Sequence, residues 1–177
     1  MKAKIITDYN QLKKFTDAHK VLEQKIVCTI GSWDMLHIGH LRYLINAKMH
    51  GDILIVGTDS DSAIKRYKNE FRPIIPGQER MEMLSYQDCV DYVTLIEDVD
   101  DKGKWDYELI KAIEPDIFVC IHESYPEDQQ NDIKQHVKEL IELPRQAEKT
   151  STSDIIEKTF KSHLSQINEL IKKDKEA

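Results

Sequence analysis

Two histidines and a glycine at the start of a predicted helix are the residues whose types and spacing could do chemistry. His37 and His40 are three residues apart, with Gly39 between them, and they follow an apolar run that ends at Gly31. Residues three apart on a helix share a face, so both imidazoles should project from its first turn. A helix N-terminus offers unpaired amides and partial positive charge to anions, and glycine permits close approach to the backbone. The pattern therefore predicts a phosphate-binding site.

Basic residues between positions 65 and 80 could extend such a site. The chain has a formal net charge of −7, which argues against non-specific binding of nucleic acid or of an acidic membrane. A positive field for anionic substrates must therefore be local. A cluster of charge is by itself more often a solvated surface. This segment therefore indicates an anion-binding site only in combination with the two histidines. Its cations are Lys65, Arg66, Lys68, Arg72 and Arg80.

Five apolar runs, separated by stretches with helical spacing, must position these residues. Strands are predicted at 26–30, 53–57, 92–96, 116–121 and 140–144. Helices are predicted over 9–20, 38 to about 50, 78–86, 107–113 and 129–137, and from 153 onward. One more helix is predicted to follow the polar run 58–62 and to end at Tyr67. Alternating strands and helices favour a parallel sheet with right-handed crossovers. The expected fold class is therefore α/β, a Rossmann-like doubly wound parallel sheet in a single domain with a C-terminal helix.

The cysteine pattern and the hydropathy favour a cytoplasmic protein. No apolar run approaches the ~20 residues of a membrane span, and the first residues lack the apolar stretch of a signal peptide. Cys28, Cys89 and Cys120 match neither a disulfide framework nor the close pairs that hold zinc. We expect Cys28 and Cys120 to be small buried residues in strands.

Residues 31–40 read G-S-W-D-M-L-H-I-G-H, which resembles the G-x-F-D-x-x-H-x-G-H signature of the cytidylyltransferase-like nucleotidyltransferases. The segment from Ser60 to Arg80 is similar to the middle of the heptose-phosphate adenylyltransferases and the archaeal FAD synthetases. Residues 143–145 and 151–156 resemble the family's late R-T-x-G-x-S-T-T-x-I element. Because these motifs occur in family order over roughly residues 25 to 160, together they are more specific than any one of them.

The resemblance implies transfer of a nucleotidyl group from ATP or CTP to a phosphorylated acceptor, with release of pyrophosphate and with Mg²⁺ bound through the nucleotide phosphates. The implied catalytic residues are His37, His40, Lys65 and Lys68. The implied nucleotide-binding residues are Thr29, Ile30, Gly31, Ser32, Trp33, Gly39, Arg145, Ser151 and Thr152. The acceptor would contact Asp34, Arg80, His122 and Glu123. The nucleotidyltransferase domain would span 25–160, after a helical extension over 1–24 and before a C-terminal helix and tail over 161–177.

Several substrates fit these motifs. A heptose-phosphate adenylyltransferase is nearest in pattern, a glycerol-3-phosphate or other polyol-phosphate cytidylyltransferase is close behind, and an FAD synthetase is third. The sequence departs from the family at Trp33, where phenylalanine is usual, and at residues 121–125, where glycines are common. It also departs at Lys149, which stands where the family's late element usually carries a glycine. The altered loop at 121–125 motivates an alternative of another class, a catalytically silent nucleotide-binding regulator. The expected partners are a nucleoside triphosphate and a phosphorylated small molecule, without nucleic acid or membrane, and a homodimer is expected.

Overall fold

Six strands and seven helices form the fold in the part of the chain that the computed structural model describes, which is residues 2–100, 102, 104–122 and 124–176. The strands are β1 (Lys4–Ile5), β2 (Ile26–Gly31), β3 (Ile53–Asp59), β4 (Tyr92–Ile96), β5 (Ile117–Ile121) and β6 (Glu139–Leu143). The helices are α1 (Tyr9–Val21), α2 (Ile38–Lys48), α3 (Asp61–Tyr67), α4 (Gly77–Ser85), α5 (Glu108–Ile113), α6 (Glu127–Lys134) and α7 (Thr152–Glu176).

The strands form one parallel sheet in the order β1-β4-β3-β2-β5-β6. The chain passes from β2 through β3 to β4 on one side, and then crosses to β5 and β6 on the other side of β2. In open α/β sheets, such a reversal creates a ligand crevice outside the carboxyl ends of the strands. The doubly wound parallel fold that the sequence predicts is confirmed, and the crevice falls at the end of β2.

Helices cover both faces of the sheet, which divides the core into two layers. In β2, Ile26 and Cys28 belong to a layer with α1, α5 and α6, whereas Val27 belongs to a layer with α2 and α4. Neighbouring side chains of a strand point to opposite faces, so a strand covered on both faces is apolar at every position. This is why continuous apolar runs predict the bounds of β2 to β6 within two residues.

The N-terminal segment is built into the sheet. β1 pairs with β4 at the sheet edge. Leu12 and Thr16 of α1 are fully buried, and Asp8 caps the helix by accepting a hydrogen bond from the amide of Asn10. The sequence predicts only a helical extension here. It misses β1 because a two-residue edge strand produces no apolar run.

The cysteines behave as small apolar residues. Cys28 and Cys120 are buried, as expected from the sequence, and Cys28, Cys89 and Cys120 are all free thiols. Burial raises the pKa of the Cys120 thiol to about 12, with a smaller contribution from the charge of Glu142. None of the helices in the described part of the chain has the length and hydropathy of a membrane span.

Candidate active site

A cavity of about 640 Å³ lies at the carboxyl ends of the central strands, where residues that end β2, β3 and β5 line it. The structure brings together most of the residues that the sequence singles out. Those that line the cavity are Ile30, Gly31, Ser32, Trp33, His37, Gly39, His40, Lys68, Arg145, Ser151 and Thr152. The same cavity therefore contains both histidines and parts of two segments. One is the loop from β2 to α2, residues 32–37, which we call the phosphate loop, and the other is the segment 143–156 that resembles the family's late element, which we call the late motif.

The loop from β2 to α2 is held in an uncommon backbone conformation. Trp33 has φ 50° and Met35 has φ 49°, in the left-handed region that residues other than glycine seldom adopt. The Trp33 indole stabilises this shape, because its Nε1 donates to the carbonyl oxygen of Gly57 at 2.8 Å and its ring packs on Tyr43. A Cβ on Gly31 would lie 3.2 Å from the Trp33 ring. Strain of this kind is typical of ligand-binding loops.

Both histidines are oriented by the first turn of α2. His37 is the N-cap, and its Nδ1 accepts a hydrogen bond from the amide of Gly39 at 3.1 Å. The Nδ1 of His40 lies 3.4 Å from the amide of His37, and the two rings stack with centroids 3.9 Å apart. A ring nitrogen that accepts carries no proton, so each neutral imidazole is protonated at Nε2. Each ring is therefore a hydrogen-bond donor through Nε2.

The two imidazoles are neutral at pH 7. Burial lowers the pKa of His37. Burial lowers the pKa of His40 to about 4, with further lowering by the charges of His37 and Lys68 and an opposing effect of Asp34. Two rings stacked this closely would repel each other if both were charged. Each ring is therefore a neutral N–H donor at pH 7.

The free energy of unfolding is expected to fall between pH 6.5 and pH 4 because of His40. The unfolded histidine has a pKa near 6.5 and the folded one about 4, so the unfolded state binds more protons within this window. The resulting loss reaches roughly 3 kcal/mol at pH 4. The midpoint of thermal unfolding should therefore fall more steeply with falling pH for the wild type than for His40→Asn. If the midpoint fell equally with pH in the wild type and in His40→Asn, this prediction would be wrong. The control is His163→Asn, at an exposed position of α7, which should follow the wild type.

Gly39 allows the late motif to close over α2. A Cβ at this position would lie 3.1 Å from the Cβ of Ala147 and 3.0 Å from the His37 ring. The Thr152 hydroxyl donates to the carbonyl oxygen of Asp34 at 2.8 Å, which joins the start of α7 to the phosphate loop. Arg145 lies in the same wall of the cavity. The first turns of α2 and α7 thus meet beside the phosphate loop.

Of the two lysines that the sequence suggests, Lys68 is at the cavity. Its Nζ donates to the Ser32 hydroxyl at 2.9 Å. Burial lowers the pKa of Lys68, and Arg72 acts in the same direction while Asp59 and Asp34 oppose it. Lys65 is exposed on α3 and is not among the residues that line the cavity. Of the two lysines, Lys68 is therefore the one that contacts the phosphate loop.

Asp34, expected to contact the acceptor, is instead fully buried and makes contacts within the protein. The Nε of Arg72 donates to its Oδ2 at 2.7 Å, and the amides of Ile74 and Ile75 donate to its carboxylate oxygens at 2.9–3.1 Å. Burial alone would raise the pKa of Asp34, but the two amides and the Arg72 guanidinium hold it below its ordinary value. Asp34 therefore fixes the segment before α4 against the phosphate loop.

Arg80, expected to contact the acceptor phosphate, is also part of the scaffold, with 1% of its surface exposed. Its guanidinium donates to the carbonyl oxygens of Ser32, Asp59 and Ile75, and Nη2 lies 2.6 Å from the Asp61 carboxylate. Because these acceptors already occupy the guanidinium, Arg80 joins the ends of β2 and β3. It is not among the residues that line the cavity.

Two more predicted site residues are not among the residues that line the cavity. Thr29 is fully buried, and its hydroxyl is 2.7 Å from that of Tyr43. His122 is exposed, and its Nδ1 lies 2.5 Å from the carboxylate of Glu142. Glu123 lies outside the described residues.

Sequence reasoning missed several residues that line the cavity: Tyr43, Asp59, Tyr67, Arg72, Trp105 and Tyr125. Asp59 has a recognisable signal, since it is an acidic residue two positions after a buried apolar run. Trp105 lies in irregular chain between β4 and α5, where no periodicity indicates its direction. Arg72 was recognised only as one member of the basic cluster.

The geometry defines a class of protein. A parallel sheet carries at its switch point the N-terminus of α2, two imidazole donors and a lysine, all in one cavity. Helix starts in this position bind the phosphates of nucleotides. The fold and the site are those of a nucleotide-binding α/β protein.

Comparison with known proteins assigns the family. The family model described as cytidylyltransferase-like matches residues 28–158. The chain belongs to the cytidylyltransferase-like family.

The curated relatives include several bifunctional proteins named HldE. The HldE protein of Geobacter metallireducens is 33% identical over 159 residues, which are 89% of this chain and 31% of the relative. That of Helicobacter pylori strain G27 is 44% identical over 108 residues, 61% of this chain and 22% of the relative. The chain thus spans about a third or less of the length of these relatives.

Solved structures show the same fold. A lipopolysaccharide core biosynthesis protein from Thermoplasma volcanium has a TM-score of 0.56 and 25% identity, covering 68% of this chain and 98% of that one. A pantoate-β-alanine ligase from Francisella tularensis has a TM-score of 0.54 and 16% identity, covering 80% of this chain and 67% of that one. The second likeness concerns the fold alone.

Proposed function

We propose that this protein transfers a nucleotidyl group from ATP or CTP to a phosphorylated sugar or polyol and releases pyrophosphate, most like a heptose-phosphate adenylyltransferase. The observation that carries the proposal is the pair of Nε2–H donors of His37 and His40 at the start of α2, in the cavity that also contains Lys68. The likeness to a lipopolysaccharide core biosynthesis protein supports a sugar phosphate as the acceptor.

The chemistry requires positioning and charge stabilisation more than a strong base. An acceptor phosphate has its second pKa near ~6, so its oxygen is already a nucleophile at neutral pH. That oxygen forms a bond to the α-phosphorus of the nucleotide as the bond to the β-phosphate oxygen breaks, and pyrophosphate departs. Negative charge grows on the leaving group and on the α-phosphoryl oxygens. The imidazoles, Lys68 and the amides at the start of α2 are placed to offset that charge.

The proposal includes Mg²⁺ that enters with the nucleotide. Among the described residues, no cluster of three His, Cys, Asp or Glu side chains could hold a metal ion by itself. This fits Mg²⁺, which keeps several waters and binds through substrate phosphates with few protein ligands. Asp59 is the carboxylate that lines the cavity within the described part of the chain. When bound, the ion would neutralise part of the charge of the phosphates.

The nucleotide and the acceptor are tested by binding and by turnover. Thermal unfolding is measured with ATP, CTP, GTP and UTP, each with Mg²⁺, since selective binding to the native state raises the midpoint. We expect one of ATP or CTP to give the largest shift. Pyrophosphate release is then measured with the selected nucleotide and mannose 1-phosphate, glycerol 3-phosphate, FMN or a heptose phosphate as acceptor. Glycerol 3-phosphate with CTP, or FMN with ATP, would indicate one of the alternative substrates.

Strong nucleotide binding without pyrophosphate release from any acceptor would contradict the enzyme proposal. It would favour the nucleotide-binding regulator instead. His37, His40 and Lys68 all line one cavity, which supports turnover.

We also propose a cytoplasmic homodimer. The three thiols are free, which suits a reducing compartment. Along α7, the apolar residues Phe160, Leu164, Ile167 and Ile171 are 43–63% exposed, at the alternating spacings of four and three that favour a paired helix. The mass of the protein in solution should be twice that of the chain.

A further inference from the structure

The start of the segment that contains Lys68 is joined to the sheet by a pair of side chains. Tyr67 ends α3, and its hydroxyl donates at 2.6 Å to Oδ2 of Asp59, the residue that ends β3. Asp59 has 7% of its surface exposed and Tyr67 has 37%, so the bond joins a buried carboxylate to a phenol near the protein surface. Both residues line the cavity. We call Asp59 and Tyr67 the anchor pair.

The anchor pair is also connected to the phosphate loop. Burial raises the pKa of Tyr67, as do the charge of Asp59 and the hydrogen bond to it, whereas a hydrogen bond with Ser32 lowers it. The Ser32 hydroxyl in turn accepts a hydrogen bond from Nζ of Lys68 at 2.9 Å. The same Nζ lies 5.7 Å from the centre of the Tyr67 ring. Polar contacts therefore run from the anchor pair through Ser32 to Lys68.

The position of Lys68 depends on the end of α3. Lys68 is the C-cap of this helix, and the segment 68–71 is exposed at every position. α3 has 7 residues, too few for an isolated helix to be stable in water. A lysine side chain has many rotamers, and restricting them before a ligand arrives reduces the entropy lost on binding. A contact that fixes the end of α3 should therefore raise the affinity for a ligand that Lys68 binds.

The rest of α3 is held to the sheet without the anchor pair. Ala63 and Ile64 are fully buried, and Ser60 caps the helix by accepting a hydrogen bond from the amide of Ala63 at 3.2 Å. These contacts belong to the first turns of the helix. The anchor pair is therefore not required for α3 to form, and it determines the position of the last turn, from which Lys68 extends.

We propose that Asp59 and Tyr67 are positioning residues that act through Lys68, because their hydrogen bond holds the last turn of α3 so that the ammonium group stays beside the phosphate loop. The inference rests on the proposed nucleotidyl transfer, in which Lys68 offsets the charge of the nucleotide phosphates. The anchor pair raises nucleotide affinity without contacting the nucleotide itself.

The test is a cycle of Tyr67→Phe and Lys68→Met. Tyr67→Phe removes the hydroxyl and keeps the ring, and Lys68→Met replaces the ammonium group by an apolar one on a chain of similar length. Binding of ATP, or of CTP if CTP gives the larger thermal shift, is measured by calorimetry with Mg²⁺ on the full chain. In the wild type, Tyr67→Phe should weaken affinity about 3- to 10-fold, the effect of one hydrogen bond. In Lys68→Met it should cause no further loss, because the residue through which the pair acts is absent.

Tyr86→Phe is the matched control. Tyr86 donates its hydroxyl to the carboxylate of Glu82 at 3.2 Å on the exposed side of α4, and neither residue is among those that line the cavity. This variant loses the same kind of phenol–carboxylate contact at a place remote from Lys68. Its affinity for the nucleotide should equal that of the wild type.

A second comparison applies if Tyr67→Phe unfolds because it leaves the buried carboxylate of Asp59 without its donor. Asp59→Asn removes the charge and keeps an oxygen that can accept from the Tyr67 hydroxyl. The double variant Asp59→Asn with Tyr67→Phe then contains no unpaired carboxylate at this position. It should bind the nucleotide about 3- to 10-fold more weakly than Asp59→Asn alone.

Three results would overturn the inference. They are equal weakening by Tyr67→Phe with and without the Lys68 ammonium group, no weakening by Tyr67→Phe in the wild type or in Asp59→Asn, and the same weakening in Tyr86→Phe. A wild type that binds no nucleoside triphosphate, or that binds one and releases no pyrophosphate, would instead contradict the proposed function. The two failures are distinguishable, because the cycle compares affinities among variants and does not depend on turnover.

Discussion

Replacing His40 with alanine is expected to lower kcat for pyrophosphate release by about 100- to 1000-fold, the usual cost of removing one preorganised donor to a developing negative charge. The Nε2–H of His40 is oriented by the His37 amide and by the ring stack. Because its imidazole is neutral before nucleotide binds, its contribution is a directed hydrogen bond that strengthens as charge grows on the phosphates. The loss should therefore appear in kcat more than in the KM for nucleotide.

Stability separates a catalytic from a structural role for His40. Within the protein, the side chain makes one long hydrogen bond at 3.4 Å and ring contacts with His37 and Trp33. The unfolding midpoint at pH 7.5 should therefore change little. His163→Ala, at an exposed position of α7, is the control and should keep full activity. If His40→Ala lost its fold, or kept its kcat, the role assigned to His40 would be wrong.

The sequence predicts correctly that His37 and His40 lie together at the start of α2, because local rules determine their positions. A strand covered on both faces must be apolar throughout, so β2 is visible as a run, and the glycine that ends it indicates a loop. The first turn of the next helix then fixes the positions of His37 and His40. These elements are contiguous in sequence, so no long-range packing is needed to place them.

The rest of the site depends on contacts between distant segments. Asp34 pairs with Arg72, 38 residues later, and no spacing rule connects an acidic residue of one loop with one of several basic residues in another. Trp105 reaches the cavity from irregular chain after β4, and its direction depends on Phe118 and Tyr107. Resemblance to a family transfers a role to Asp34 and Arg80 without showing that their polar atoms already have protein partners.

Asp34→Asn is expected to lower the free energy of unfolding by about 3–5 kcal/mol, because it leaves the buried Arg72 guanidinium without its counter-charge. The Asp34 side chain has 0% and that of Arg72 9% of its surface exposed, so water cannot replace the lost partner. The asparagine oxygen can still accept from the amides of Ile74 and Ile75, which confines the change mainly to the charge. Urea unfolding measures the loss, and the midpoint of thermal unfolding should fall by roughly 6–20 °C.

Two further variants test whether the loss arises from an unpaired buried charge. Asp132→Asn removes the partner of Lys104 in a pair whose side chains are 37% and 43% exposed, and this change should cost at most about 1 kcal/mol. Asp34→Asn combined with Arg72→Met removes the unpaired cation and should recover a substantial part of the stability, since an apolar side chain of similar length can replace a buried ion. A double variant no more stable than Asp34→Asn alone would show that the loss comes from the loop hydrogen bonds instead. In that case Asp34 would stabilise the phosphate loop through the amides of residues 74 and 75 rather than through Arg72.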